Sequence, residues 1–361
     1  MKIKILFTIP NFNTAGSGKV VYDLVKGIDK EKFAPEILVK HTRGDFYKEV
    51  EKLGVPIHVF PYETDYYPLW SFPFRLIKVI RFFRKLKVDI IHSWHYSSDF
   101  SEVLAARLAG IKFVYTKKNM GLGNKAWIWK SKLSHQVIAI NKDMMNVFFN
   151  PIPSIKATYL PLGIDTTYYK PRRFDSELAK KYVIEENDFV VITVANLVPL
   201  KGIETLIEAF KQVKIPNSKL LIVGNNQNEY AQQLMHKHQD KLIIFTGKQL
   251  DVRPFLSISK VFCIPTLYIG EGMPMAPLEA MSMGIPVLGS RVPGITDILE
   301  GHKECLFESS SVIDLQKKVY KMYSISKQER EAIGNEMREK VVQLYDIKKF
   351  IYSREDLYKS L

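Results

Sequence analysis

Cysteine, long apolar runs and acidic residues are all scarce in this sequence. Cys263 and Cys305 have no Cys or His cluster beside them, so neither a disulfide framework nor a zinc site has enough ligands. No apolar run approaches the roughly 20 residues that span a bilayer, so any membrane contact has to be peripheral. The run Ile3 to Ile9 is too short for the core of a signal peptide and predicts a first strand. We therefore expect a chain of the reducing cytosol.

The deficit of acidic residues indicates an anionic partner. Lys and Arg number 52 against 38 Asp and Glu, a formal charge of +14. Residues 1–170 hold 26 basic and 14 acidic side chains, whereas residues 171–361 hold 26 and 24. The partner could be a nucleic acid, a membrane surface or a phosphorylated ligand. No Asp-x-Asp pair is present to hold a divalent ion against a diphosphate, so no metal is expected.

At 361 residues the chain is long enough for two domains. Short β-rich runs alternate with amphipathic helical runs, which is typical of parallel sheets with crossover helices. The first series of predicted strands is Ile3 to Ile9, Glu36 to Val39, Ile57 to Phe60, Asp89 to His92, Lys112 to Thr116 and Val137 to Ile140. The second series is Phe189 to Ala195, Lys219 to Val223, Leu242 to Phe245, Val261 to Ile264 and Pro286 to Gly289. We predict an α/β fold with Rossmann-like domains at 1–170 and 171–340, and a helix at 341–361 that packs back on the first domain.

A loop of small residues, Gly16-Ser17-Gly18, precedes the first predicted helix. It is not a P-loop, because Asn13 and Val20 stand where that motif needs Gly and Ser or Thr. The free N–H groups at a helix amino terminus accept anions, which makes these three residues candidate ligand contacts. A tight strand-to-helix turn without a ligand explains the loop equally well.

The run Asn196 to Gly202 occupies the equivalent turn in the second half, with Lys201 just before a predicted helix. An ammonium group at this place adds charge to a site that already attracts anions. A solvated surface lysine is the alternative.

The segment Gly270 to Met281 follows the fourth predicted strand of the second series. Pro277 suits the first turn of a helix, so the backbone before it is expected to form a loop at a strand's carboxyl end, where open α/β sheets bind ligands. Glu279 is then expected in that first helical turn. A capping role is its alternative, although Ala276 stands where a capping box needs Ser or Thr. Glu271 and Glu279 can both face one site and bind the vicinal hydroxyls of a ribose or hexose.

These motifs together resemble those of the retaining glycosyltransferases of family 4, whose GT-B architecture has two Rossmann-like domains that face a central cleft. The Glu-x7-Glu pattern and the apolar run after it are the most specific part of the resemblance, which covers about Met1 to Phe307. The segments that carry it are Leu160 to Asp165, Leu197 to Gly202, Leu221 to Gly224 and Glu271 to Val287.

The resemblance implies a role for each matching residue. Lys201 would neutralise the donor diphosphate, Glu271 would meet the transferred sugar and Glu279 would bind the donor ribose. Backbone groups would hold the sugar and the distal phosphate. The residues expected to supply them are Gly272, Met273, Pro274, Met275 and Ala276, with Gly16 to Gly18 closing from the other domain.

The sequence departs from the family at two places. Asn196 stands where the family usually has an Arg on the diphosphate, and Arg291 is either a substitute or a surface residue. A histidine often ends a first-domain strand where this chain has Thr116 to Asn119. His95 is the alternative histidine, as a catalytic group or as a structural one.

Residues 72–87 combine Arg and Lys with apolar side chains at helical spacing. Such a helix can lie on anionic lipid, although a solvated helix packed on the first sheet has the same pattern. The aromatic and proline-rich stretch Thr64 to Phe74 beside it suggests an acceptor-side loop.

The resemblance implies an enzyme that moves a sugar from a nucleotide-sugar, expected to be a UDP-sugar, to a hydroxyl of a glycan or lipid-linked acceptor in surface polysaccharide assembly, with retention of configuration. It is expected in the cytoplasm, or at the cytoplasmic face of a membrane, without a cofactor. A nucleotide-sugar epimerase or hydrolase of the same architecture is one alternative. A basic nucleic-acid-binding protein is another, but it does not need the Glu271/Glu279 pair, so we expect no nucleic-acid partner.

Overall fold

The computed structural model describes residues 2–13, 15–44, 46–121, 124–268 and 270–361. The chain divides into a first unit, Met1–Gly163 with Ile347–Leu361, and a second unit, Ile164–Asp346. The first boundary precedes the predicted one because the Ile164 N–H donates to the Tyr345 carbonyl at 2.8 Å, which ties the chain to the second unit from that residue. The second unit correspondingly runs a few residues past 340.

In the described part of the first unit, seven parallel strands form one sheet in the order β3-β2-β1-β4-β5-β6-β7. The strands are β1 Ile3–Thr8, β2 Phe33–Val39, β3 Ile57–Val59, β4 Ile90–Ser93, β5 Lys112–Lys117, β6 Gln136–Ala139 and β7 Ala157–Tyr159. The helices are α1 Ala15–Gly27, α2 Tyr47–Glu51, α3 Phe72–Leu86, α4 Ser101–Leu108, α5 Ala126–Leu133 and α6 Lys142–Met144, with a 3-10 turn at Leu69–Ser71 and a π turn at Met145–Phe149. The central strands are buried on both faces, which explains their continuous apolar sequence.

The second unit repeats this plan, with six parallel strands among its described residues in the order β10-β9-β8-β11-β12-β13. The strands are β8 Phe189–Val194, β9 Ser218–Val223, β10 Ile243–Gly247, β11 Val261–Ile264, β12 Val287–Ser290 and β13 Leu306–Phe307. The helices are α7 Ser176–Lys181, α8 Ile203–Val213, α9 Glu229–Lys237, α10 Arg253–Ser257, α11 Met275–Ser282, α12 Ile295–Ile298, α13 Val312–Ser324 and α14 Lys327–Leu344, with 3-10 turns at Pro199–Lys201 and Lys303–Cys305. The two sheets confirm the predicted pair of Rossmann-like domains.

Local sequence explains the helices that cover these sheets. In α8 the residues Ile203, Leu206, Ile207 and Phe210 recur at helical spacing and are all buried against the sheet. Helix α14 begins at a capping box, in which Ser326 and Glu329 bond each other's backbone N–H groups.

The last helix, α15 Ile347–Ser360, belongs to the first unit. The Tyr358 hydroxyl lies 2.6 Å from Nδ1 of His92 on β4, and the Arg354 guanidinium donates to the Leu160 carbonyl at 2.7 Å. Glu355 accepts from the Asp29 N–H at 2.7 Å. Buried polar contacts therefore fix α15 to this unit.

Each sheet reverses its strand order once, between β1 and β4 in the first unit and between β8 and β11 in the second. In open α/β sheets the carboxyl ends of the strands at such a reversal form the usual ligand site. Among the described residues, no helix is both long enough and apolar enough to cross a bilayer.

Candidate active site

Lys201 lies on a tight turn between β8 and α8. The turn ends at Gly202, whose φ of +63° is a conformation that strains any other residue. A Cβ on Gly202 would lie 2.1 Å from the Pro265 carbonyl oxygen, so the turn is in close contact with the segment after β11. The Leu267 N–H also donates to the Leu200 carbonyl at 2.9 Å. The lysine is thereby fixed at the reversal point of the second sheet.

Glu271 lies on the loop that follows β11. Its N–H donates to the Pro293 carbonyl at 2.9 Å, which positions the backbone. A Cβ on Gly294, whose φ is +79°, would lie 2.4 Å from the Glu271 carbonyl oxygen, so glycine is required for this approach. The Glu271 carboxylate accepts a hydrogen bond from Thr266 Oγ1 at 2.7 Å.

The structure brings Lys201 and Glu271 together as an ion pair. Their side chains are 24% and 15% exposed, so both groups are accessible to a ligand while neighbouring chain limits their movement. The ammonium can bind an oxyanion, and the carboxylate can accept hydrogen bonds from sugar hydroxyls. Charge-assisted hydrogen bonds of both kinds are stronger than neutral ones.

The start of α11 differs from the prediction for Glu279. The helix begins at Met275, after Pro274 in an extended conformation (φ −72°, ψ 131°), so Pro277 is its third residue and Glu279 its fifth. The expectation that Glu279 lies in the first turn was therefore wrong. Met275 and Ala276 occupy that turn, where backbone N–H groups have no partner within the helix.

Glu279 is held from the segment that enters the second unit. It accepts a hydrogen bond from the Tyr169 hydroxyl, and burial together with the Glu279 charge raises the pKa of that hydroxyl. Ahead of the helix, Gly272 and Met273 are buried, and Pro274 is partly exposed. Tyr169 was not among the predicted site residues, because no local motif in the sequence links it to Glu279.

Asn196 and Arg291 are not joined to the Lys201–Glu271 pair. Asn196 is exposed after β8. Arg291, just after β12, donates from Nε to Oε1 of Glu308 at 2.7 Å in an exposed ion pair. The structure therefore pairs Arg291 with Glu308.

In the first unit, Gly16, Ser17 and Gly18 lie within the first turn of α1, which begins at Ala15, and not in a loop before it. Thr14 lies outside the described residues. Gly16 departs from helical geometry (φ −33°, ψ −107°) and is exposed. A Cβ on Gly18 would lie 2.9 Å from the Phe12 ring, so packing also favours glycine at that position.

His95 follows β4, at the reversal point of the first sheet. Its Nδ1 lies 2.7 Å from Oε1 of Glu63, and its ring stacks on Tyr96 with centroids 5.1 Å apart. Burial lowers the pKa of His95, although the Glu63 charge acts in the opposite direction. Glu63 is also 2.6 Å from the Lys40 ammonium. Glu63 has no sequence motif, and only the tertiary structure shows that it contacts His95.

A second buried carboxyl group, Glu102, lies at the same edge of the first sheet. It accepts hydrogen bonds from Thr8 Oγ1 at 2.5 Å and Ser93 Oγ at 2.7 Å, and burial raises its pKa to about 7. The fully buried Lys130 offsets part of this effect, and its own pKa is lowered by burial. An acidic residue at the second position of a helix is common, so nothing in the sequence indicated that Glu102 is buried near the site.

In the part of the chain that the structure describes, no three His, Cys, Asp or Glu side chains converge as metal ligands.

Comparison with known proteins identifies first the fold and then the family. The chain aligns over 99% of its length with Anabaena HepE solved with UDP-glucose, covering 100% of that chain at 19% identity and a TM-score of 0.84. The fold is therefore of the GT-B type. The family model for glycosyl transferases group 1 matches residues 174–340, and the model for glycosyltransferase family 4 matches residues 14–168. The two matches together span most of both units, and the chain belongs to this glycosyltransferase family.

The chain is also similar to curated enzymes whose names state a reaction. One is the UDP-Gal:α-D-GlcNAc-diphosphoundecaprenol α-1,3-galactosyltransferase of Escherichia coli, 28% identical over 61% of this chain and 62% of its own length. Another is the N-acetyl-α-D-glucosaminyl L-malate synthase of Bacillus anthracis, 26% identical over 62% of this chain and 56% of its own length. The match spans less than two thirds of either relative.

Proposed function

We propose that this protein transfers a sugar from a nucleotide-sugar, specifically a UDP-sugar, to an acceptor hydroxyl with retention of anomeric configuration. The observation that carries the proposal is the Lys201–Glu271 pair at the reversal point of the second sheet. Its two groups match the two halves of such a donor, because one binds oxyanions and the other binds hydroxyls. The first turn of α11 adds backbone N–H donors for a phosphate.

The bond between the anomeric carbon and the diphosphate breaks with its electron pair going to the phosphate oxygen. A bond from that carbon to the acceptor oxygen forms as the hydroxyl passes its proton to the departing diphosphate. Negative charge grows on the departing diphosphate. Lys201 stabilises that charge from a position fixed before reaction, which is the arrangement that lowers a barrier most. Glu271 orients the sugar, and Glu279, supported by Tyr169, binds the donor ribose.

We infer the class of acceptor from the names of two relatives. One relative's name gives a lipid diphosphate-linked sugar as its acceptor, and the other's gives L-malate. We propose a glycan or lipid-linked acceptor in surface polysaccharide assembly, met at the cytoplasmic face of a membrane. His95 is the first-unit candidate for contact with the bound sugars.

The test is a donor screen that measures nucleoside diphosphate release with and without lipid extract. Release that depends on acceptor supports transfer, whereas equal release in its absence indicates a hydrolase and loss of substrate without release indicates an epimerase. Lys201→Ala should lower turnover roughly 100-fold or more, since removal of one charge-stabilising group commonly costs about 2.7 to 4 kcal/mol. Lys241→Ala, an exposed lysine of the same unit, is the control and should retain full turnover. Wild-type turnover in Lys201→Ala would rule out this assignment.

We also propose that the reaction needs no divalent metal, with Lys201 and backbone N–H groups serving the diphosphate instead. Turnover should be unchanged when EDTA is added to enzyme freed of metal by prior dialysis. Loss of activity in EDTA, restored by magnesium or manganese, would contradict this proposal.

Residues 72–87 are proposed to meet an anionic membrane surface. Helix α3 exposes Phe74, Ile77, Lys78, Arg81 and Lys85 along one face. The segment before it exposes Tyr67, Leu69 and Trp70, with Trp70 78% exposed. Apolar side chains beside Lys and Arg are the composition of a helix that lies in a bilayer interface.

Arg75 is not part of that face. Its guanidinium donates to Thr64 Oγ1 at 3.0 Å and to the Asp65 carbonyl at 2.6 Å. Arg75 therefore stabilises the backbone of the exposed aromatic segment. The basic side chains proposed to face the lipid are Lys78, Arg81 and Lys85.

A further inference from the structure

Three lysines cluster near the carboxyl ends of β4 and β5 in the first unit. Lys117 is the last residue of β5, Lys118 follows it, and Lys130 reaches the same place from α5. Burial lowers the pKa of both Lys117 and Lys118, and the charge of Lys130 lowers each pKa further, so Lys130 lies within electrostatic reach of both. A cluster of like charges at the ligand-binding edge of a sheet needs either internal partners or an external anion.

Two of the three lysines have internal partners. The Lys130 ammonium donates to the Ser97 carbonyl at 3.0 Å and lies 4.5 Å from the centre of the Tyr115 ring. The Lys117 ammonium donates to Asn119 Oδ1 at 2.8 Å and to the Gly121 carbonyl. These groups are held in place and have roles within the fold.

Lys118 differs from both. Among the described residues its ammonium has no hydrogen bond and no ion pair, and its recorded contact is with the ring of Tyr96 at 5.9 Å from the centroid. The side chain is partly buried, and burial together with Lys130 lowers its pKa to about 8. The charge has lost part of its hydration without gaining an anion, which is unfavourable until a ligand supplies one.

Tyr96 completes a surface beside this charge. Its ring is 65% exposed, lies on the segment after β4 and is backed by the stacked ring of His95. An exposed aromatic face of this kind suits the apolar side of a sugar ring, and the neighbouring ammonium suits an oxyanion on the same molecule. Both are carried by adjacent strand ends of one sheet, β4 and β5.

We propose that Lys118 and Tyr96 form a subsite for an oxyanion-bearing acceptor, in which the ammonium binds a phosphate or carboxylate and the tyrosine ring supports the attached sugar. The anion-binding part stands by itself, and the assignment to an acceptor rests on the proposed function. The anion can be a diphosphate that links the acceptor to a lipid or the carboxylate of an acidic sugar.

Amine labelling with protection tests the binding site without any need for transfer activity. A trace of acetic anhydride acetylates lysines in proportion to their unprotonated fraction, and peptide mass spectrometry reads out each site. Lys118 should react faster than the exposed Lys112 at the opposite end of β5, because burial lowers the pKa of Lys118 from the ordinary lysine value to about 8. Pyrophosphate or glucuronate should slow the labelling of Lys118 several-fold and leave Lys112 unchanged. Protection of neither lysine, or equal protection of both, would overturn the proposal.

The two anion sources are distinguished by separate arms with farnesyl diphosphate and with glucuronate. Stronger protection by the first indicates a lipid-linked diphosphate, and stronger protection by the second indicates an acidic sugar. Tyr96→Ala should weaken protection by glucuronate and leave protection by inorganic pyrophosphate in place, because only the sugar uses the ring.

Kinetics then connect the subsite to the acceptor. Lys118→Gln should raise the acceptor KM about tenfold or more, the loss expected for one charge-assisted hydrogen bond, with the donor KM unchanged. Lys118→Arg should restore most of the affinity, and Lys112→Gln is the matched control. An unchanged acceptor KM in Lys118→Gln would remove the acceptor assignment. If Lys201→Ala also proved fully active, the proposed function would fail separately, whatever the labelling showed.

Discussion

Lys201 and Glu271 form an ion pair in which their charges neutralise each other. A donor diphosphate therefore has to separate the pair or bind beside it, while Thr266 continues to donate to Glu271. Asn196 is uncharged and Arg291 is engaged with Glu308, so under the proposed function neither of them shares the diphosphate charge with Lys201. This distribution of charge is the physical reason for the large effect expected of Lys201→Ala.

Glu102 makes stability depend on pH. Its pKa is 4.5 for the free group and about 7 in the folded protein, because burial disfavours the ionised form. The contribution of Glu102 to the free energy of unfolding is therefore fully present below the pKa that the group has in the unfolded chain. It is lost as pH rises through the pKa that the group has in the folded protein. The loss is on the order of 3 kcal/mol, at about 1.36 kcal/mol for each pKa unit.

Glu102→Gln should abolish this part of the pH dependence, because the amide stays neutral and the Thr8 and Ser93 hydroxyls can rotate to bond it. Urea unfolding measured between about pH 5 and pH 8 should show the variant gaining stability over the wild type as pH rises. Lys130 is present in both proteins but loses the Glu102 charge in the variant, so the difference reports Glu102 together with its effect on Lys130. Glu49→Gln, at an exposed ion pair with Lys52, is the control and should run parallel to the wild type. Parallel curves for Glu102→Gln as well would show that burial does not raise this pKa.

At the scale of elements, the contact between the β8–α8 turn and the segment after β11 depends on Gly202. Gly202→Ala would place a methyl group 2.1 Å from the Pro265 carbonyl oxygen, in addition to the strain of φ +63°. The two segments would have to separate, so stability should fall by about 2 kcal/mol or more, and turnover should fall because Lys201 moves with the turn. Chemical unfolding and the nucleoside diphosphate assay measure the two effects.

The matched control for this change is Gly301→Ala. Gly301 also has a positive φ, +91°, but a Cβ there meets nothing within 4 Å. It should cost about 1 kcal/mol from backbone strain alone and leave turnover unchanged. Equal losses in the two variants would mean that the close approach to Pro265 contributes nothing.

Most of the strands were predictable from sequence, whereas β7 and β13 were not. The predicted Ile3 to Ile9 and Phe189 to Ala195 match β1 and β8 to within one residue at the end of each strand. The strands β7 and β13 have three and two residues at the edges of their sheets, and they form because a neighbouring strand edge offers hydrogen bonds. Helix α11 starts before its proline because Pro277 marks the first turn without fixing which of its positions it occupies.

The same limit applies to the site. Lys201 and Glu271 were predictable because each sits in a local motif, and strand ends in a parallel sheet converge on one edge. Glu63, Lys118 and Tyr169 act through contacts with residues far away in the chain, for which a single sequence holds no periodic or spacing signal. Tertiary structure was required to find them.

At the scale of the whole molecule, the basic excess and the exposed aromatic segment Tyr67 to Trp70 occur in the same half of the chain. Residues 1–170 hold 26 basic and 14 acidic side chains, and this half includes α3 and the segment Tyr67 to Trp70. Each basic residue near an anionic surface contributes about 1 kcal/mol, and an aromatic ring in the interface adds its apolar area. The proposed docking through Lys78, Arg81, Lys85 and Trp70 should therefore be reversible and weakened by salt.

We therefore expect the protein to sediment with vesicles of anionic phospholipid at low salt and to bind neutral vesicles less. A variant with Lys78, Arg81 and Lys85 changed to Gln should lose most of this binding, and Trp70→Ser should lose part of it. The protein has four tryptophans, and Trp94 and Trp127 are buried. Trp129→Phe thus leaves Trp70 as the exposed indole, whose emission should shift to the blue and be quenched by brominated lipid.

Trp70→Phe, which leaves Trp129 as the exposed indole, provides the decisive comparison because Trp129 is 61% exposed but lies on α5, away in sequence from α3. If α3 and its preceding segment form the docking face, brominated lipid should quench Trp70 more than Trp129. Arg75→Gln should instead lower thermal stability, since Arg75 bonds the backbone of the aromatic segment. Equal binding of the wild type and the triple Gln variant, or quenching confined to Trp129, would place the membrane elsewhere or leave the acceptor to arrive from solution.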